Sequence, residues 1–156
     1  HEISCKSVNF VINNIDTKKF NYKLVGIDFN NEWFEINNND IIDKDWKNKD
    51  ITKIDNIIKY LKSFDIVFSV IHGYSGEDGK LQSLFELYNI KYVGCDSYSS
   101  LICYDKLLTK IILEKYNVIG STNDSSLFHI YETSSLDIKL SSFDFNNVKS
   151  LYILSD

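Results

Sequence analysis

Asp65-Ile66-Val67-Phe68-Ser69-Val70-Ile71 is an almost continuous apolar run. A strand with one solvated face alternates apolar and polar side chains, whereas a strand covered on both faces is apolar throughout. The run therefore predicts a strand in the middle of a doubly covered sheet, and it is far too short to cross a bilayer. A glycine-rich turn follows, His72 to Gly79, and then a helix from about Lys80 to Tyr88 with Leu81, Leu84, Phe85 and Tyr88 on one side. Lys91 to Gly94 reads as a short strand and Ser97 to Tyr116 as mostly helical. Upstream, Ile51, Ile54, Ile57, Ile58 and Leu61 form the stripe of a helix from Ile51 to Lys62, with Asp50 as its N-cap. Such alternation indicates the α/β class: a mainly parallel sheet covered by helices, with right-handed crossovers.

The flanks are read in the same way. Ile3, Val8, Val11, Ile12 and Ile15 recur at helical spacing. Tyr22 to Phe29 and Glu32 to Ile36 read as a hairpin turning at Asn30 and Asn31, and Asn37 to Lys49 as polar loop. Leu127 to Tyr131 and Leu151 to Leu154 read as strands, separated by Ser- and Asn-rich sequence.

The chain has 156 residues, 44% hydrophobic and 25% charged, which suits about one globular domain. It contains no Ala, Arg, Pro or Met, a composition of the kind an AT-rich genome gives; lacking Met, it is expected to start naturally upstream of His1 unless processing removed the Met. With no guanidinium, any anion must be met by Lys, backbone N–H groups or helix N-termini. A net charge of -5 and scattered lysines argue against nucleic-acid binding. No segment resembles a signal peptide or a membrane span, so the expected location is cytoplasmic. Cys5, Cys95 and Cys103 lack metal or disulfide spacing and are expected to be reduced thiols, the latter two in the core. Asp43, Asp45 and Asp50 read as a solvated loop rather than a calcium site, and His129 as a surface strand residue. No GxGxxG follows a strand, which disfavours nicotinamide binding.

The chemistry concentrates in His72-Gly-Tyr-Ser-Gly-Glu-Asp-Gly79. Ligands of open α/β sheets bind beyond the carboxyl ends of strands, which is where His72 is placed. Glycine permits a tight turn, and Glu77 and Asp78 precede a helix whose free N–H groups a carboxylate caps. The residues by themselves also allow a plainer reading, turn chemistry with a helix cap.

His72-Gly-Tyr-Ser-Gly-Glu-Asp-Gly-Lys-Leu-Gln82 resembles the HGxxGEDGxxQ signature of the D-alanine–D-alanine ligases. Phe85 to Gly94 resembles that family's short helix and YxG strand. Tyr104-Asp-Lys-Leu-Leu-Thr-Lys110 resembles its MDKxxxK helix, with Tyr in place of Met. His1-Glu-Ile-Ser4 resembles the end of its EHEVS motif, and the hairpin ending in Glu32-Trp-Phe also has a counterpart. These blocks stand in the family's order across residues 1 to about 118.

The resemblance implies a Rossmann-like pre-ATP-grasp domain whose first strand is missing. Residues 1–118 would be the N-terminal domain, and 119–156 a diverged linker or the start of the central ATP-grasp domain. An unpaired gap is expected where the first strand would sit. The implied activity is formation of the D-Ala-D-Ala dipeptide for peptidoglycan, with ATP and Mg2+, through an acyl phosphate. His72 would lie beside the first D-alanine and Lys106 near the nucleotide. Glu2 would be the second acid of EHEVS in a helix-capping role, and Gly73, Gly76, Glu77, Asp78 and Gly79 the structural part of the signature. The acid that grips the substrate amine would precede His1. The metal ligands belong to later domains, so this fragment alone is expected to be inactive and to hold no magnesium. Homodimerisation is a further implication. Alternatives are a non-catalytic remnant or dimerisation module, and a ligase for D-lactate or D-serine.

Overall fold

The computed structural model describes residues 2–37 and 45–116, and the backbone of 150–155. Its elements are α1 (Glu2–Asn14), β1 (Asn21–Ile27), β2 (Trp33–Ile36), a 3-10 turn (Trp46–Asn48), β3 (Ile51–Lys53), α2 (Ile57–Leu61), β4 (Ile66–Ser69), α3 (Lys80–Leu87), β5 (Tyr92–Val93), α4 (Ser97–Tyr104), α5 (Lys106–Lys115) and β6 (Ser150–Ser155). The strands form one sheet in the order β3-β2-β1-β6-β4-β5. From β1 through β6 and β4 to β5 every pairing is parallel. The hairpin β1–β2 and the strand β3 add an antiparallel edge. The mainly parallel α/β sheet read from the sequence is thus present, and the strands at Tyr22, Ile66 and Tyr92 run the same way.

Both faces are covered. On one, Cys5 and Val8 of α1 pack with Leu24, Ile36, Trp46 and Ile66. On the other, Leu61 of α2 and Leu81 and Phe85 of α3 pack with Val25 and Val67. Adjacent residues of β1 and of β4 therefore enter opposite cores, which is what the unbroken apolarity of 65–71 requires. Each fully buried apolar side chain contributes about 1.5–3 kcal/mol.

Four expectations are corrected. No unpaired gap lies beside β1: β6 sits between β1 and β4, with Ile153 opposite both Leu24 and Phe68. Parallel strands expose unsatisfied N–H and C=O groups at an open edge, and β6, which carries the β-favouring Tyr152 and Ile153, satisfies them on both sides. Among the described residues no strand precedes α1. The helix expected from Ile51 is a strand followed by a helix. Ile51 pairs with Ile36, and the cap is Asn56, whose side chain accepts from Lys59 N–H, rather than Asp50. Trp46, in the stretch read as polar loop, is fully buried, and its ring lies where a Cβ on Gly26 would be, 2.5 Å away. Cys95 and Cys103 are exposed, and only Cys5 is a core thiol. Asp43, His129 and the strand read at 127–131 lie outside the described residues.

The hairpin turns where expected. Asn31 adopts φ 59°, and the Asp28 carboxylate accepts from the backbone N–H of Asn30 and Glu32, each at 2.8 Å. Ser97 to Tyr116 is two helices, broken at Asp105, whose side chain caps α5 through Leu107 and Leu108 N–H at 3.0 Å.

Candidate functional site

β4 delivers His72 to its carboxyl end, and the loop 72–79 is closed by its own bonds. Glu77 N–H donates to Gly73 C=O at 2.9 Å, and the Glu77 carboxylate accepts from Gly73 N–H at 2.8 Å. Gln82 Nε2 donates to Gly76 C=O at 2.8 Å. A Cβ at Gly76 would sit 2.2 Å from the Ile71 carbonyl oxygen, so the backbone folds onto the strand end only with glycine there. Gly79 has φ 87° as it enters α3, in the left-handed region that glycine tolerates.

The two acids of the loop do different work. Asp78 is buried and accepts from Lys80 N–H and its ammonium. Burial opposes its ionisation, but the Lys80 and backbone bonds outweigh that and hold its carboxyl below the ordinary range. Lys80 also lies over the Tyr74 ring, 3.6 Å from its centroid. Asp78 thus caps the start of α3 as expected. Glu77 does not cap the helix; it turns back onto Gly73 and His72.

α1 completes the arrangement. The buried Ser4 Oγ accepts from His72 backbone N–H at 3.1 Å, and Ser7 Oγ is 2.8 Å from His72 Nε2. Ser4 closes the block that resembles EHEVS, with no role assigned to it, and Ser7 carries no motif. Their spacing of three residues on a helix whose apolar face packs on the sheet was the available signal. Glu86 was also not singled out. Its carboxylate accepts from Tyr92 O–H and from the N–H and O–H of Ser97, joining α3, β5 and α4.

His72 stands between two cavities. One, of about 650 Å³, is walled by Ile27, Trp33, Tyr74 and Leu84, with Lys47 and Lys80 at its polar side. The other, of about 340 Å³, is lined by Ser7, Ser69, Gln82 and Gly94 among others. Ser69 Oγ and Gln82 Oε1 are buried there without a hydrogen-bond partner. Lys106, the first residue of α5, is exposed and lines neither cavity. Glu2 opens α1, where its charge favours the helix dipole, and pairs with Lys6 at 2.9 Å. The structure thus joins the loop residues into one site, with Lys106 and Glu2 outside the two cavities. Among the described residues no cluster of three or more His, Cys, Asp or Glu side chains is placed to hold a metal, and no helix is long and apolar enough to cross a membrane.

Comparison with known proteins gives a consistent result. The family described as "D-ala D-ala ligase N-terminus" matches residues 1–95. A D-alanine–D-alanine ligase of Clostridium acetobutylicum is 37% identical over 142 residues, covering 88% of this chain and 41% of the relative. Among solved structures, the VanG D-Ala:D-Ser ligase from Enterococcus faecalis matches with a TM-score of 0.66 and 32% identity, over 75% of this chain and 38% of that one. The D-alanine-D-alanine ligase from Coxiella burnetii matches with a TM-score of 0.58 and 29% identity, over 76% and 39%. The chain spans about two fifths of the length of the relatives it matches.

Proposed function

The chain belongs to the D-ala D-ala ligase N-terminus family, and from that premise we propose that it serves as the N-terminal domain of an ATP-dependent D-alanine–D-alanine ligase. Residues 1–118 carry most of that domain, and β6 (Ser150–Ser155), although it lies beyond that boundary, pairs within the same sheet rather than opening a central ATP-grasp domain. The observation that carries this reading is the loop 72–79. It bears the family's signature and folds at the carboxyl end of a parallel strand, where α/β sheets receive ligands.

In this reading His72 borders the first D-alanine site and Lys106 faces the nucleotide. ATP supplies the phosphoryl group that activates one D-alanine carboxylate for attack by the amine of a second. Lys106 would draw the phosphates by charge, but one exposed ammonium contributes little in water. The described residues do not fit a magnesium site. The dipeptide serves peptidoglycan, and the place of the reaction is the cytoplasm, consistent with free thiols at Cys5, Cys95 and Cys103. Homodimerisation belongs to the same reading, with exposed Leu101, Leu107 and Ile111 on α4 and α5 as available apolar surface.

One observation favours a second reading. β6 closes the sheet within the chain, as a free-standing non-catalytic module would need. The test is release of phosphate and formation of dipeptide from D-alanine, ATP and magnesium. The complete ligase should turn over and the 156-residue chain alone should not. Turnover by the chain alone, or none by the complete protein, would overturn the proposal.

A further inference from the structure

Both ring nitrogens of His72 face groups of this same chain. Ser7 Oγ lies 2.8 Å from Nε2, and Glu77 Oε1 lies 3.4 Å from Nδ1. The other oxygen of Glu77 accepts from Gly73 N–H at 2.8 Å, and Ser4 Oγ holds the His72 backbone N–H. The ring is therefore fixed from α1 on one side and from its own loop on the other.

The two partners differ chemically. An ionised carboxylate only accepts hydrogen bonds, whereas a hydroxyl donates or accepts. For a neutral imidazole, one arrangement makes both contacts attractive. The proton sits on Nδ1 facing Glu77, and Nε2 accepts the O–H of Ser7. The opposite tautomer would direct the Nδ1 lone pair at a carboxylate oxygen, while Ser7 would be equally content as an acceptor. Glu77 decides the tautomer and Ser7 follows it.

We propose that Glu77 and Ser7 are positioning residues that hold His72 as the Nδ1–H tautomer, with Nε2 engaged by Ser7. The link to catalysis rests on the ligase reading, in which His72 borders the first D-alanine. The tautomer itself is a property of this chain without any ligand, so it is testable even if that reading fails. Glu77 thereby does more than close the loop. A residue needed only for the turn would satisfy Gly73 N–H equally well as an amide.

The experiment is imidazole 15N NMR on the labelled 156-residue chain, at a pH well above the ordinary titration range of histidine. His72 should show a protonated-type Nδ1 and an unprotonated-type Nε2. In Glu77→Gln the single side-chain oxygen keeps the Gly73 bond, and the amide NH2 turns toward Nδ1. The tautomer should then invert, placing the proton on Nε2 with Ser7 accepting it. In Ser7→Ala the Nδ1–H form should persist, with the Nε2 resonance moving toward that of a free acceptor. A wild-type ring protonated mainly on Nε2 overturns the proposal. So does a Glu77→Gln ring with an unchanged tautomer, or loss of the Nδ1–H form in Ser7→Ala.

Discussion

The loop after β4 and the helix pair α4–α5 carry the two candidate ligand residues, His72 and Lys106, and the chain holds them in opposite ways. His72 is reached from α1 through Ser4 and Ser7, and from its own loop through Glu77. Behind it, Leu81 and Phe85 of α3 are buried against Val67 and Ile71. Lys106 is placed by local bonds. Asp105 caps α5, and the Thr109 hydroxyl donates to Ile102 C=O at 2.6 Å across the helix break. Among the described residues, α5 buries none of its own side chains, and Leu107 and Ile111 are 68% and 53% exposed. One region is a finished site wall; the other is a well-capped helix whose apolar side is only partly covered. Glu86 links the two through Tyr92 and Ser97, and the Ser97 hydrogen bonds hold its carboxyl below the usual range.

The contrast has energetic consequences. Phe85 is 1% exposed, so Phe85→Ala should cost about 3–5 kcal/mol in urea denaturation. A loss below about 1 kcal/mol would mean that the wall behind His72 is not packed as described. A smaller effect is expected at Asp78, whose carboxyl is held below its ordinary value. Its ionised form stabilises the fold fully above the unfolded-state value near ~3.9 and ceases to do so as pH falls through the lower folded value. Asp78→Asn should therefore flatten the stability-against-pH curve below about pH 4, and parallel curves for the two proteins would contradict that role. The smallest effect is expected on the other arm, where Leu107→Ala should stay within about 0.5 kcal/mol. A larger loss would show that α5 is already packed against something in the isolated chain.

The same contrast runs through what the sequence discloses. The strand at 66–69, the loop and α3 are legible because short-range signals agree there: an unbroken apolar run, glycines at the turn, and a helical stripe beginning at Leu81. β3 reads as the start of a helix in the sequence because Ile51, Ile54, Ile57, Ile58 and Leu61 fit a helical period. Pairing of Ile51 with Ile36 overrides that local preference. Trp46 was hidden in polar sequence, and its burial follows from Gly26 leaving room on β1. The strand in 151–154 was visible, but its place between β1 and β4 depends on register with strands far away in sequence. Of the site, His72 and Glu77 were legible from the motif. Ser4 stands in the EHEVS-like block and Ser7 in none, and neither shows its part in the site, since serine on a helix carries no local mark of a partner 65 or 68 residues away.

That His72 borders the first D-alanine site is the claim on which the functional account rests, and steady-state kinetics of His72→Ala in the complete ligase tests it most directly, with D-alanine and ATP varied separately. Losing the ring that Glu77 and Ser7 fix at the site wall, with its hydrogen bond to the Glu77 carboxylate, is worth about 1.5–3 kcal/mol, or roughly ten- to a hundredfold in affinity. The account predicts a rise of that size in the first-site D-alanine constant with the ATP constant little changed. An unchanged first-site constant would contradict it and leave His72 as the residue that ends a strand.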